Sequence, residues 1–240
     1  MDKMFDLDLV YLEMAITELD MDTEYVEDGL YDGIQKLADT IQEIISYMIE
    51  YVKNVKTDIK AMASKAVMKA KLVSLKQKAA EGAKVAIPDF KKIETVYGNA
   101  CKVLPKQLKK LLKDAYPIKS SSDLMNFQAK KQKFEQDLIK LEASIEEVIS
   151  APKVYSAKDA YDIIDRLLHE DSIYIDSYYK IIREFEYFKA EYERSIKLIS
   201  GKNEGLSRQG LTMHKSLIAK TSTTMSRLLK KSVFAIALVV

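Results

Sequence analysis

Apolar side chains recur at alternating steps of three and four residues through most of the chain, which is the spacing of amphipathic α-helices. The longest such stretch starts at Ile34, and nothing in it interrupts a helix before Gly82. A helix of about 45 residues extends for about 68 Å at 1.5 Å per residue, so we expect an elongated molecule or a bend near residues 61–70. The spacing is close to the heptad repeat of coiled coils, and its apolar positions are Ile34, Leu37, Ile41, Ile44, Met48, Val52, Val55, Ile59 and Met62.

Prolines and capping residues divide the rest of the chain into further helices. Ile87-Pro88-Asp89 is a break followed by an N-cap, and Pro105 predicts a kink in the helix after it. Ser120 and Ser156 are predicted to cap the next two helices, because serine hydroxyls accept hydrogen bonds from backbone amides. The pattern predicts five to seven helices and no strand. The expected fold class is therefore all-α, an elongated multi-helix bundle with one long helix in its N-terminal half and coiled-coil-like seams.

Three parts of the chain differ in charge and composition. Residues 1–33 are an acidic N-terminal segment and a candidate prosegment, residues 34–200 form the helical bundle, and residues 201–240 form a basic amphipathic C-terminal helix. No secretory signal peptide is predicted. No apolar run reaches the roughly 18 residues that a membrane-spanning helix needs.

Composition then excludes several classes of site. The 7 Gly and 4 Pro among 240 residues are too few for the turns of a many-stranded fold. Cys101 is the single cysteine and His169 and His214 are the two histidines, so we expect no disulfide, no metal site and no cofactor. Asp165 and His169 share a helical face, which suits a metal or acid–base pair or, alternatively, an ordinary surface contact. No catalytic motif is present, and the sequence predicts a protein that is not an enzyme.

The net charge of +2 hides a strong segregation of charge along the chain. Residues 1–50 carry −12, residues 51–113 carry +12, residues 114–200 carry −4 and residues 201–240 carry +6. One interpretation is that the acidic part packs antiparallel to the basic part and cancels it. The other is that the acidic part masks a basic surface intended for a polyanion.

The lysines of the basic region are the candidate polyanion ligands. Lysine binds phosphate as a point charge, and such binding is steeply dependent on salt. Arginine, which makes the commonest bidentate contact to guanine, is absent from residues 51–113, so any nucleic acid would be bound without sequence preference. A merely solvated lysine face is the alternative. The candidates are Lys53, Lys56, Lys60, Lys65, Lys69, Lys71, Lys76, Lys78, Lys109, Lys110 and Lys113.

Two further groups of residues are candidates for contact with partners. Half of the 14 tyrosines lie within residues 155–192, where most fit a core stripe but Tyr179 and Tyr187 do not, so these two are the interface candidates. The C-terminal helix combines basic and apolar side chains. Such a helix can lie on a membrane surface, pack on its own bundle or pack on a neighbouring subunit. Its candidate residues are Arg227, Leu228, Leu229, Lys230, Lys231 and Phe234.

The first third of the chain resembles a known class of proteins. The acidic stretches at residues 5–13 and 24–33, followed by a long helix rich in Ile and Lys, are similar to the internal head proteins of large tailed bacteriophages. The resemblance covers roughly residues 1–80. It implies trimming of an acidic prosegment after Glu in an Ile/Leu-x-Glu context, which Glu18 and Glu43 match. Cleavage after Glu43 would leave a remainder with a charge of +13.

These observations together predict a non-enzymatic virion structural protein whose basic helices contact DNA or capsid. The expected partners are other virion subunits or further copies of the chain, together with DNA bound without sequence preference. The expected location is the phage head, with the host cytoplasm before assembly. A self-associating helical adaptor and a membrane-active helical protein acting through its C-terminal helix are the alternatives.

Overall fold

The described part of the chain is a bundle of helices with one small β-ribbon. The structure, a computed structural model, describes residues 30–114, 120–169, 172–195 and 204–239. Seven helices lie within these residues, which confirms the predicted all-α class. The helices are α1 (Leu30–Ser64), α2 (Ala66–Ala80), α3 (Phe90–Asp114), α4 (Ser121–Ser150), α5 (Ala157–Leu167), α6 (Ile173–Ser195) and α7 (Glu204–Ala237), and the strands are β1 (Lys84–Pro88) and β2 (Pro152–Ser156).

Helix α7 lies at the centre of the main bundle. It packs against α1, α3, α4 and α6, while α2 packs against α5 to one side. Leu217, Leu228, Leu229 and Val233 of α7 are completely buried. One continuous cluster of buried apolar side chains includes members from α1 through α7. The C-terminal helix therefore shares its core with the helices of residues 34–200.

Buried hydroxyl groups allow this serine- and threonine-rich helix to occupy the centre. Thr221, Ser222 and Ser226 each donate a hydrogen bond to a backbone carbonyl three or four residues earlier, over 2.7, 2.8 and 2.9 Å. The hydroxyl of Tyr51 donates to the carbonyl of Ser226 over 3.1 Å, and Tyr178 shares a hydrogen bond with the Ser226 hydroxyl. Since polar groups that bond to their own helix are satisfied without water, these residues are buried at low cost.

The long helix predicted from Ile34 towards Gly82 is divided in two. Helix α1 ends at Ser64 and is about 52 Å long at 1.5 Å per residue. Lys65 then adopts an extended conformation, with φ −63° and ψ 136°, before α2 begins. This break falls inside the predicted interval of residues 61–70. Gly82, at φ +69°, follows α2 in the left-handed conformation that glycine adopts without strain.

The β-ribbon corrects the prediction that the chain has no strand. β1 and β2 pair antiparallel with Val85 opposite Tyr155. The hydroxyl of the buried Tyr155 donates to Oδ1 of Asp89 over 2.6 Å, and the Lys92 amide donates to the same atom over 3.2 Å. Burial opposes ionisation of Asp89, but these donors and Lys153, 3.4 Å away, together lower the pKa of its carboxyl group. The ribbon thus anchors the start of α3.

The predicted serine caps are present at α4 and α5. The Ser156 hydroxyl accepts a hydrogen bond from the Asp159 amide over 3.1 Å and donates one to the Asp159 carboxylate over 2.7 Å. We expect Ser156→Ala to lower the free energy of unfolding by about 1 kcal/mol, as measured by urea denaturation. Ser150→Ala, at the exposed end of α4, is the control and should change it by less than about 0.5 kcal/mol. Equal losses in the two variants would show that the Ser156 cap contributes nothing.

Candidate polyanion interface

Helix α3 presents a row of lysines to solvent. One side of the helix packs on α4, α6 and α7 through buried residues that include Ile93, Tyr97, Leu104 and Leu108. At about 100° of rotation per residue, all seven lysines of the helix fall within an arc of about 100° on the opposite side. This α3 lysine row consists of Lys91, Lys92, Lys102, Lys106, Lys109, Lys110 and Lys113.

The central lysines of this row follow one another closely along the helix. Lys102, Lys106 and Lys110 are exposed and follow one another at intervals of four residues. Among the residues that the structure describes, these three make no ion pair. Like charges four residues apart destabilise an isolated helix by a few tenths of a kcal/mol per pair. The centre of the row therefore concentrates positive charge that no ion pair within the described residues neutralises.

The two ends of the lysine row are held by neighbouring elements. At one end the Lys91 ammonium lies 5.8 Å from the ring centre of Tyr155. At the other end Lys109 and Lys113 lie 3.6 and 3.3 Å from the Glu191 carboxylate of α6. The distance along α3 from Lys91 to Lys113 is about 33 Å. Neighbouring elements thus hold Lys91 at one end of the row and Lys109 and Lys113 at the other.

Pro105 lies inside α3 without ending it. The helix continues from Phe90 to Asp114 through this proline. A proline lacks the amide hydrogen that would bond to the carbonyl four residues earlier, which is that of Cys101. The interruption of the hydrogen-bond ladder therefore lies between Lys102 and Lys106, in the middle of the lysine row.

The two tyrosines predicted as interface residues both contact lysines. Tyr187 is 47% exposed, and the Lys109 ammonium lies 3.6 Å from the centre of its ring. Tyr179 is half-buried, with the Lys56 ammonium 5.9 Å from its ring centre. Cation–π contacts at exposed sites contribute about 0.5–1 kcal/mol. Tyr187 therefore borders the α3 lysine row and positions one of its members.

The other predicted polyanion ligands precede α3 in the chain, on α1, on α2 and between these two helices. Lys53, Lys56 and Lys60 lie on α1, and Lys65 is the residue between α1 and α2. On α2 the lysines flank a buried stripe formed by Met68 and Leu75, and this helix packs on α5. The lysines on α2 are Lys69, Lys71, Lys76 and Lys78. The predicted set is thus distributed over three helices, of which α3 carries the longest single row.

The candidate membrane or partner residues of α7 are used within the bundle. Leu228 and Leu229 are completely buried, whereas Phe234 is 36% exposed. The Lys231 ammonium lies 2.7 Å from the Glu146 carboxylate of α4. None of the described helices combines the length and apolar content needed to cross a membrane. The other basic candidates of this group are Arg227, which lies 3.6 Å from Glu142, and the half-buried Lys230.

The two predicted processing positions lie in different parts of the chain. Glu18 lies outside the described residues. Glu43 is exposed in the middle of α1, but Ile41 of the same Ile-x-Glu context is completely buried. Proteases cleave chain segments that open locally from the folded structure. Cleavage after Glu43 therefore requires the first turns of α1 to leave the bundle.

The groups with reactive chemistry are buried or dispersed. Burial raises the pKa of the Cys101 thiol to about 12, so this side chain is a protonated thiol at neutral pH. His214 is completely buried, while His169 is exposed at the end of α5. No cluster of three or more His, Cys, Asp or Glu side chains suited to a metal ion occurs within the described ranges.

Comparison with protein-family models, with curated proteins and with solved structures finds no match. The described part of the chain is an all-α bundle in which α3 carries seven lysines on one side.

Four members of the α3 lysine row were not among the predicted ligands. They are Lys91, Lys92, Lys102 and Lys106. Lys92 and Lys102 are ten positions apart, so these lysines do not form a dense run along the chain. The row becomes visible only when the sequence is placed on a helix, because a rotation of about 100° per residue brings positions 92, 102, 106, 110 and 113 to one side.

Proposed function

We propose that the chain is a non-enzymatic structural protein that binds DNA or a similar polyanion through the α3 lysine row. The observation that carries this proposal is the placement of all seven lysines of α3 on the side opposite its buried residues, with six of the seven exposed. Lys102, Lys106 and Lys110 form no ion pair within the described part of the chain. Binding a polyanion would neutralise charge that the fold itself leaves uncompensated.

The dimensions of the row suit a nucleic acid backbone. Its length of about 33 Å along the helix is close to the 34–36 Å of one turn of B-DNA. Duplex DNA carries one phosphate charge for about every 1.7 Å of its axis, so each ammonium group in the row has phosphates within reach. Lysine supplies point charges rather than the bidentate geometry that reads bases. The expected binding is accordingly independent of sequence.

The setting that we propose is the head of a tailed bacteriophage, by the resemblance of residues 1–80 to internal head proteins. There the row would contact packaged DNA, and other virion subunits or further copies of the chain would be its protein partners. The burial of Leu228 and Leu229 in the bundle core favours this structural function over a membrane-active one.

A charge-matched comparison tests the lysine row. The triple substitution Lys102→Gln, Lys106→Gln and Lys110→Gln removes three exposed charges and preserves helix propensity. We expect its affinity for a 30-base-pair duplex of arbitrary sequence to fall by roughly a hundredfold at about 0.1 M salt. The slope of log affinity against log salt should decrease by about 2.7. Fluorescence anisotropy over a range of salt concentrations measures both quantities.

The control removes the same charge from other helices. Lys133, Lys140 and Lys158 are exposed lysines of α4 and α5, and their replacement by Gln should leave the affinity within about threefold of the wild type. Equal losses in the two triple variants would mean that only the overall charge matters. Absence of binding by the wild-type chain at low salt would refute the proposed function.

A further inference from the structure

We propose that residues 1–29 dock on the α3 lysine row of the same chain and compete with the polyanion for it. This acidic segment is the part of the predicted segment 1–33 that lies outside the described residues, and its sequence holds ten Asp or Glu side chains and Lys3. It thus carries a charge of −9, while the remainder of the chain carries +11. Only the competition rests on the proposed function. The docking itself depends on the charge and on the geometry of the bundle.

The contacts between helices show that α3 and α6 run in the same direction. Near their starts, the Tyr97 hydroxyl of α3 donates to the Tyr174 carbonyl of α6 over 3.2 Å. Near their ends, the Lys113 ammonium of α3 lies 3.3 Å from the Glu191 carboxylate of α6. The end of the lysine row at Lys113 is therefore at the same end of the bundle as the last turns of α6.

Helix α1 runs in the opposite direction to α6. The end of α1 leads into α2, which packs on α5, and α5 leads into the start of α6. Tyr51, in the second half of α1, contacts Tyr178 near the start of α6, with ring centres 6.1 Å apart. The start of α1 at Leu30 consequently lies at the end of the bundle where the α3 lysine row finishes. The acidic segment joins the described fold at this end.

The length of the acidic segment is sufficient to cover the row. Twenty-nine residues span up to about 95 Å when extended and about 43 Å as a continuous helix, against about 33 Å for the row. A contact within one chain is favoured by an effective concentration in the millimolar range. Val103, 46% exposed at the edge of the row, and the ring of Tyr187 offer apolar contacts beside the charges. The acidic segment has apolar residues of its own, namely Leu7, Val10, Tyr11, Met14 and Leu19.

Carbodiimide cross-linking of the full chain tests the docking directly. This reagent joins a lysine to a carboxylate only where the two are in contact, and mass spectrometry of the monomer identifies the pairs. We expect cross-links between carboxylates of residues 1–29 and lysines of residues 91–113 at low salt, and their loss at about 0.5 M salt, where the Debye length is only a few ångströms. The pairs Lys231–Glu146 and Lys220–Glu135, each at 2.7 Å, are internal positive controls. If the controls cross-link but the acidic segment links elsewhere or not at all, the docking proposal is wrong.

A second comparison tests the competition. One variant replaces four carboxylates of the acidic segment by amides, and a matched variant replaces four exposed carboxylates of the described helices. We expect the first to bind a 30-base-pair duplex about tenfold more tightly than the wild type at about 50 mM salt and the second to gain less than about threefold. The two sets are Asp6→Asn, Asp8→Asn, Glu13→Gln and Glu18→Gln, and Glu43→Gln, Glu50→Gln, Glu147→Gln and Asp162→Asn.

The outcomes separate this inference from the proposed function. Equal gains in the two variants would show a general effect of charge and would overturn the competition. If neither variant nor the wild type binds DNA, the proposed function fails, while the cross-links still decide whether the acidic segment occupies the row.

Discussion

Replacing Leu228 by Ala is expected to lower the free energy of unfolding by about 2–5 kcal/mol, because the substitution leaves a cavity in a closely packed core. Leu228 is completely buried. It lies on α7, the helix against which four others pack. The loss therefore affects contacts between several helices at once. Urea denaturation followed by circular dichroism measures it.

Phe234→Ala on the same helix is the control for this prediction. Its side chain is 36% exposed, so we expect a smaller loss of about 1–2 kcal/mol, although more carbon atoms are removed than from Leu228. A loss at Leu228 no greater than that at Phe234, and below about 2 kcal/mol, would show that α7 is not the central helix of the bundle. Leu228 would then be available to a membrane or a partner.

The stability of the protein is expected to fall between pH 7 and pH 5 through His214. This imidazole lies between the rings of Phe127 and Tyr192, and the Tyr192 hydroxyl shares a hydrogen bond with its Nδ1 atom. Burial lowers the pKa of His214 to about 3. In the unfolded chain the histidine pKa is about 6.5. Below pH 6.5 the imidazole is therefore protonated in the unfolded chain but stays neutral in the folded chain. The contribution of His214 to the free energy of unfolding is therefore constant above pH 6.5 and falls by about 2 kcal/mol by pH 5.

A pair of histidine variants isolates this titration. The difference in unfolding free energy between the wild type and His214→Gln should shrink by about 2 kcal/mol from pH 7 to pH 5, because only the wild type loses stability through this group. His169→Gln replaces the exposed histidine and should keep the pH dependence of the wild type. Carboxylates such as Asp89 and Glu135, whose pKa values are lowered, lose their stabilising ionised form only at more acidic pH. A constant difference between the wild type and His214→Gln would contradict the burial of His214.

Local features of this fold can be predicted from the sequence because they depend on neighbours along the chain. The apolar spacing from Leu37 to Met62 marks the buried face of α1. Ser120 and Ser156 cap α4 and α5 through amides three residues later. The break at Lys65 falls within the expected interval, although no proline marks it.

Features that depend on distant partners were not predictable in this way. The strands β1 and β2 are five residues each and are more than 60 residues apart, so neither could be recognised without the other. Helix α7 has the serines, threonines and cations of a surface helix, yet it is central because its hydroxyls bond to its own backbone and its cations meet acidic side chains of α4. The α3 lysine row lies between these two cases. Its lysines are not densely spaced along the chain, but the rotation of about 100° per residue in a helix places them on one side.

The central position of α7 also determines when this chain can fold during its synthesis. The four helices that pack against α7 all precede it in the sequence. As the chain emerges from the ribosome, α1, α3, α4 and α6 expose the apolar faces that α7 later covers, and such faces are targets of chaperones and proteases. Folding of the bundle is therefore completed after translation of α7, and a product truncated before this helix would be cleared rather than accumulate.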